Sequence, residues 1–178
     1  MPARNQPDAR TETFGQTTSG ASGDCEQEPI TIRPAHSGDI GGLSGLVRAY
    51  WQFEGIAGFD TRTVVRLLRE VLDLPHRGSI VVADRTGTLV GYFLVVYVFS
   101  LEHKGMTAEI DELFVSESCR GAGVGRQLLA FAERTALDSG CTVAALRLGR
   151  SNEAGNKFYV RAGYTPRSEF GLLEKRLA

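Results

Sequence analysis

Residues 109–127 read EIDELFVSESCRGAGVGRQ, and the fold is decided in this stretch. Glu109, Asp111 and Glu112 lead into the apolar Leu113-Phe114-Val115, a strand pattern. A polar turn follows, then a glycine-rich loop, then the helical spacing of Val124, Leu128, Leu129 and Phe131. The first backbone N–H groups of such a helix lack intrahelical partners, and the helix dipole adds partial positive charge, so the stretch predicts an anion site. Gly121, Gly123 and Gly125 keep side chains clear of an approaching phosphate. Arg120 adds a guanidinium whose fork suits phosphate oxygens. From the residues alone, the expectation is a phosphorylated cofactor.

Working outward, the 178 residues suit one domain with its own core. Hydrophobic content of 42%, charged content of 23% and a formal charge of −1 fit a soluble globular chain. They give no electrostatic reason to bind nucleic acid or an anionic membrane. Leu89–Phe99 is too short to span a bilayer and reads as a buried strand, and no signal-like apolar segment follows Met1. Cys25, Cys119 and Cys141 are scattered, which predicts neither a disulfide framework nor a metal site and fits a reducing cytoplasm. The histidines His36, His76 and His103 are isolated and read as surface residues.

Residues 1–28 are rich in Thr, Ser, Gly, Gln and Asp and predict a disordered tail, leaving 29–178 as the folded domain. Ile30–Arg33 predicts a first strand. Asp39 is expected to cap a helix over Ile40, Leu43, Leu46, Val47 and Tyr50, and Asp60 or Thr61 a second helix to Leu74. Ser79–Asp84 and Thr88–Ser100 predict strands joined by Arg85-Thr86-Gly87, with another strand at Met106–Val115. After the helix Val124–Asp138 come a strand at Thr142–Leu148, a helix at Asn152–Arg161, and a final strand pair, Tyr164–Phe170 and Leu172–Leu177. The sum is an α/β chain with a mixed sheet of about seven strands and about four helices on its two faces. Three successive strands without an intervening helix argue against an all-parallel doubly wound sheet.

Two common phosphate loops do not fit. A Walker A loop needs Gly-Lys followed by Ser or Thr, whereas Gly125 is followed by Arg126-Gln127. A dinucleotide fingerprint needs G-x-G-x-x-G, and the spacing here is G-x-G-x-G. Arg120-Gly121-Ala122-Gly123-Val124-Gly125 is instead accompanied by a second motif, Asn152 with Phe158-Tyr159 and Ala162-Gly163-Tyr164. In these two motifs the chain resembles the GCN5-related N-acetyltransferases, the GNAT family, over about residues 30–178.

That resemblance implies an acetyl-CoA enzyme with a GNAT fold whose central strands splay apart. The amides of Gly121, Ala122, Gly123, Val124, Gly125 and Arg126 would wrap the pyrophosphate, with Arg120 supporting the loop. Leu113, Phe114 and Val115 would pair with the pantetheine arm, an N–H near Leu113 would face the developing oxyanion, and Asn152 would contribute to the cofactor site. Tyr159 holds the position of the family's general acid. Its distance from Asn152 is about two helical turns, which places both on one face. A phenol of pKa about 10 can protonate a thiolate whose conjugate acid lies near about 8.5.

For the base, simple alternation sets Glu109 and Asp111 on one face and Glu112 on the other; a bulge, usual in the family, would shift that count and leaves the choice open. Ile110–Val115 also resembles the acidic strand of diamine and polyamine acetyltransferases. That likeness gives Asp111 the base or amine-binding position with Glu112 beside it, and puts Glu54 and Trp51 at the amine site. The implied function is acetyl transfer to a primary amine of a small molecule, without a metal. A protein lysine or N-terminal acceptor and a non-catalytic acetyl-CoA sensor stay open, and the family allows a homodimer through the C-terminal strands.

Overall fold

The computed structural model describes residues 29–169, 171–175 and 177; the tail expected over residues 1–28 lies outside them. The elements are β1 (Ile30–Pro34), α1 (Ile40–Glu54), α2 (Thr61–Asp73), β2 (Gly78–Arg85), β3 (Thr88–Ser100), β4 (Gly105–Val115), α3 (Val124–Asp138), β5 (Val143–Leu146) and α4 (Glu153–Arg161). The sheet runs β1-β2-β3-β4-β5. The first four strands pair antiparallel, and β5, which follows α3, lies parallel to β4.

Local chemistry sets most of these boundaries. Thr86 (φ 48°) and Gly87 (φ 90°) both sit left-handed, as a two-residue hairpin turn between β2 and β3 requires. Asp60 caps α2 by accepting from the Thr63 N–H at 2.7 Å, and α1 stops at Gly55, φ 70°. The start of α1 departs from expectation. Asp39 makes no cap bond to the helix. Its carboxylate instead accepts from the Arg33 guanidinium at 2.7 and 2.8 Å and from the His36 N–H at 2.8 Å. A buried acid beside an arginine gains more from that fork than from one amide, and Arg33 joins it to Asp84 at 2.8 Å.

Of the about seven strands expected, five form among the described residues. No strand follows α4 among the described residues, so the strand pair that would carry a homodimer is not formed there. Leu172, Leu173 and Leu177 stand in water, more than half exposed, where a strand would have needed a sheet edge to cover them. Among the described residues, no helix is long and apolar enough to cross a membrane.

Each sheet face has its own core. Val81, Ala83, Phe93, Val95, Ala108 and Ile110 pack under α3 through Val124, Leu128, Leu129 and Ala132. Ile80, Val82, Tyr92 and Phe114 pack under Leu43, Leu46, Val47 of α1 and Val64, Leu68 of α2. Cys119 is buried at the α3 side and disulfide-bonded, contrary to the expectation from cysteine spacing, while Cys141 is a buried free thiol.

Candidate active site

Two features of β4 build the site. Its pairing with β5 ends at Ile110↔Leu146, yet β4 continues to Val115. Beyond Ile110 its edge has no strand partner on the β5 side among the described residues, so the two strands open as a splayed pair, with Leu113, Phe114 and Val115 on the free edge. The second feature is a bulge: Leu94 is level with Glu112, but the next residue, Val95, is level with Ile110. Asp111 is the extra residue. The bulge resets the faces, so that Leu113 and Val115 pack on the α3 side while Glu112 joins Phe114 on the α1 side.

That reset delivers Glu112 to two donors. Trp51 Nε1 donates to its Oε1 at 3.1 Å, and the Tyr92 hydroxyl to its Oε2 at 2.5 Å. Burial pushes the Glu112 carboxyl above its usual range, the two donors pull it back, and Asp111 pushes it further up. Asp111 stands exposed at the mouth of the split. The surrounding protein still withholds enough water to raise its carboxyl; Arg147 opposes the rise and Glu109 adds to it. Tyr92, fully buried, holds its proton far more tightly than a free phenol, through burial and then Glu112. A phenol inside the apolar run Leu89–Phe99 was the sequence signal for this partner, because a buried hydroxyl needs an acceptor.

Trp51, edge-on to Phe59 at 5.7 Å, therefore meets one of the strand acids, Glu112. Glu54 does not; it is exposed at the end of α1 and reaches the site only as a charge felt by Tyr50. Tyr50, half-buried with its ring 6.1 Å from that of Phe114, is pushed up to about 12 by burial, then by Glu112, Glu54 and Asp111.

Tyr159 comes to the same split from α4, on the other sheet face. Its ring lies between Phe158 and Tyr164, centroids 5.0 and 5.4 Å away. Its hydroxyl has no hydrogen bond among the described residues. Burial, with a contribution from Tyr50, pushes its pKa up to about 12, so it stays protonated at neutral pH.

The glycine loop has the shape a phosphate needs. Gly121 (φ 83°) and Gly123 (φ 80°) are left-handed, so any side chain there would strain the backbone. A Cβ on Gly125 would stand 3.7 Å from the Phe158 ring. Val124 is buried, whereas Ala122 and Arg126 face solvent. Beside the loop, a groove of about 310 Å³ is lined by Arg126, Ala154, Lys157, Phe158, Arg161 and Ala162. Three cations around an apolar floor, next to open amides, fit a phosphorylated nucleotide end such as that of CoA. Arg120 is held by the protein on both sides of the loop. Its Nε donates to the Val115 carbonyl at 3.0 Å, and its guanidinium lies over the rings of Phe53 (4.6 Å) and Phe114 (5.5 Å). It ties the loop to β4 and α1. The carboxamide oxygen of Asn152 caps α4, accepting from the Gly155 N–H at 2.8 Å. A Cβ at residue 155 would come within 2.9 Å of that oxygen, which gives Gly155 a packing reason.

The acetyltransferase (GNAT) family model matches residues 45–164. An aminoalkylphosphonate N-acetyltransferase of Salmonella typhimurium is 37% identical over 82 residues, 46% of this chain and 53% of the relative, so the match spans about half of that protein's length. An uncharacterized N-acetyltransferase of Archaeoglobus fulgidus is 32% identical over 74% of this chain and 90% of its own. Among solved structures, an integron cassette protein from the mobile metagenome of Cole Harbour Salt Marsh superposes with a TM-score of 0.73 at 26% identity, over 83% of this chain and 90% of the other.

Proposed function

We propose, for a chain that belongs to the acetyltransferase (GNAT) family, that it transfers an acetyl group from acetyl-CoA to a primary amine of a small molecule, within one ternary complex. The observation that carries this reading is the pairing across the splayed strands: acids with raised pKa on one side, and on the other a protonated phenol with an uncommitted hydroxyl. The Salmonella relative is named an aminoalkylphosphonate N-acetyltransferase, which supports a small acceptor.

When bound, acetyl-CoA supplies the thioester that is to be aminolysed. Gly121, Ala122, Gly123, Val124, Gly125 and Arg126 offer main-chain amides to its pyrophosphate, with Arg126, Lys157 and Arg161 alongside. Leu113, Phe114 and Val115 would hold its arm along the free β4 edge, where a main-chain N–H at or near Leu113 would be available to the developing oxyanion. Asn152 acts from further back, by fixing the start of the helix that carries Tyr159.

An ammonium has no lone pair, so the amine must lose a proton before its nitrogen can attack. Asp111, free of hydrogen-bond partners among the described residues, accepts that proton. Glu112, held by Trp51 and Tyr92, draws the amine in when ionised, and Glu54 adds a longer-range attraction. As the carbon–nitrogen bond forms and the carbon–sulfur bond breaks, Tyr159 Oη gives its proton to the departing sulfur. Amide and thiol leave as the nitrogen passes its second proton through solvent to the Tyr159 phenolate, and Asp111 releases the first proton to solvent.

Free-thiol release from acetyl-CoA, measured with the full chain across a panel of small primary amines, tests this. Amine-dependent release is expected. Tight acetyl-CoA binding with no release for any amine would instead make the protein a cofactor-binding module.

A further inference from the structure

The mouth of the split carries one cation that the chemistry above does not use. Arg147 is the first residue after β5, and because Ile110 is level with Leu146 in a parallel pair, Arg147 comes level with Asp111 where the strands part. Its Nη2 lies 3.2 Å from Glu109 Oε2. Both side chains face water, 71% and 37% exposed, so this ion pair contributes little stability and can exchange partners at small cost. Arg147 also opposes the rise in the Asp111 pKa, as a positive charge close to that carboxylate must.

We propose that Arg147 binds an anionic group on the acceptor, so that the preferred substrate is a short molecule with a primary amine at one end and a phosphonate, phosphate or carboxylate at the other. This rests on the N-acetyltransferase reading above and narrows its substrate class. With the amine drawn to Asp111 and Glu112, a group one short linker away meets the guanidinium. An oxyanion there gains a forked, charge-assisted contact. A second ammonium meets a like charge, so the acidic strand alone, which suggests a diamine, misleads about the whole mouth. Specificity of this kind comes as much from repelling the wrong partner as from binding the right one.

The test is kcat/KM for length-matched acceptors: an ω-aminoalkylphosphonate, an ω-amino acid, a plain alkylamine and a diamine. The anionic acceptors are expected to lead the plain amine by roughly tenfold or more, the worth of a hydrogen bond to a charged group, with the diamine last. In Arg147→Ala that lead collapses, mostly through KM for the anionic acceptors; Arg147→Lys restores part of it; Arg147→Glu turns the order toward the diamine. If Arg147 only neutralises Glu109, its removal changes every acceptor by the same factor, and the proposal falls. It falls as well if the diamine leads in the unaltered protein. Absence of thiol release with every acceptor is a different result, which overturns the acetyltransferase reading and this inference with it.

Discussion

Trp51 of α1 donates its indole N–H to Glu112 of β4 at 3.1 Å, joining residues 61 positions apart in the chain. With Tyr92 on the other oxygen, both lone-pair faces of the carboxylate meet donors in a site poor in water. Glutamine in place of Glu112 keeps the shape but turns an N–H₂ toward one of those donors. We expect Glu112→Gln to lose about 1–3 kcal/mol of stability in chemical denaturation, together with a rise in KM for the amine. A Trp51→Phe variant leaves one oxygen without its donor and should raise the amine KM less.

The pKa shifts give a pH dependence whose sign can be worked out. Asp111 is raised, so its protonated form persists above the ordinary aspartate range and cannot take the amine's proton there. Turnover is expected to rise with pH through that raised value, and Asp111→Asn should abolish this acid limb. For stability the same shift acts the other way. A carboxyl raised in the folded state favours folding while it is protonated, and that contribution is lost as pH rises through its folded pKa. Asp111→Asn is thus expected to match or exceed the parent's melting temperature at neutral pH while losing activity.

Gly123 holds a left-handed φ of 80° at the start of α3. Alanine has room for its methyl group there, since nothing lies within 4 Å, so the cost falls on the backbone, about 1–2 kcal/mol. Gly123→Ala should either lose that stability or shift the loop and weaken acetyl-CoA binding in calorimetry. A variant with unchanged stability and unchanged affinity would show that the left-handed turn does not shape the phosphate site.

Arg120 bridges the loop to Phe53 and Phe114 while donating to the Val115 carbonyl. A lysine there keeps the charge but loses the flat stack and the fork. Arg120→Lys is expected to weaken acetyl-CoA binding nearly as much as Arg120→Ala. Full affinity in the lysine variant would mean that charge alone matters at this position.

How much of this was legible in the sequence divides along physical lines. Helix α3 was readable because one apolar stripe and a glycine loop fix its start, and β3 because a turn pair and an apolar run bound it. The terminal segment is different: Leu172, Leu173 and Leu177 look like strand residues, but alternation cannot say whether a sheet edge is there to receive them. The motifs point to the proposed site residues but not to the partners of those residues. Glu112 facing Tyr92 depends on a one-residue bulge, and a bulge reverses every face assignment beyond it without any mark in composition. The stacking of Arg120 on Phe53, far back in the chain, likewise leaves no mark in the sequence around the glycine loop.

The central claim is that transfer occurs in the split between β4 and β5, with Tyr159 as proton donor. Its most direct test is to measure, on Tyr159→Phe, both the turnover number and the acetyl-CoA dissociation constant. Removing a hydroxyl that serves only as the acid should lower kcat by roughly 10²–10⁴-fold and leave cofactor affinity nearly unchanged. Turnover equal to that of the parent protein would contradict the claim.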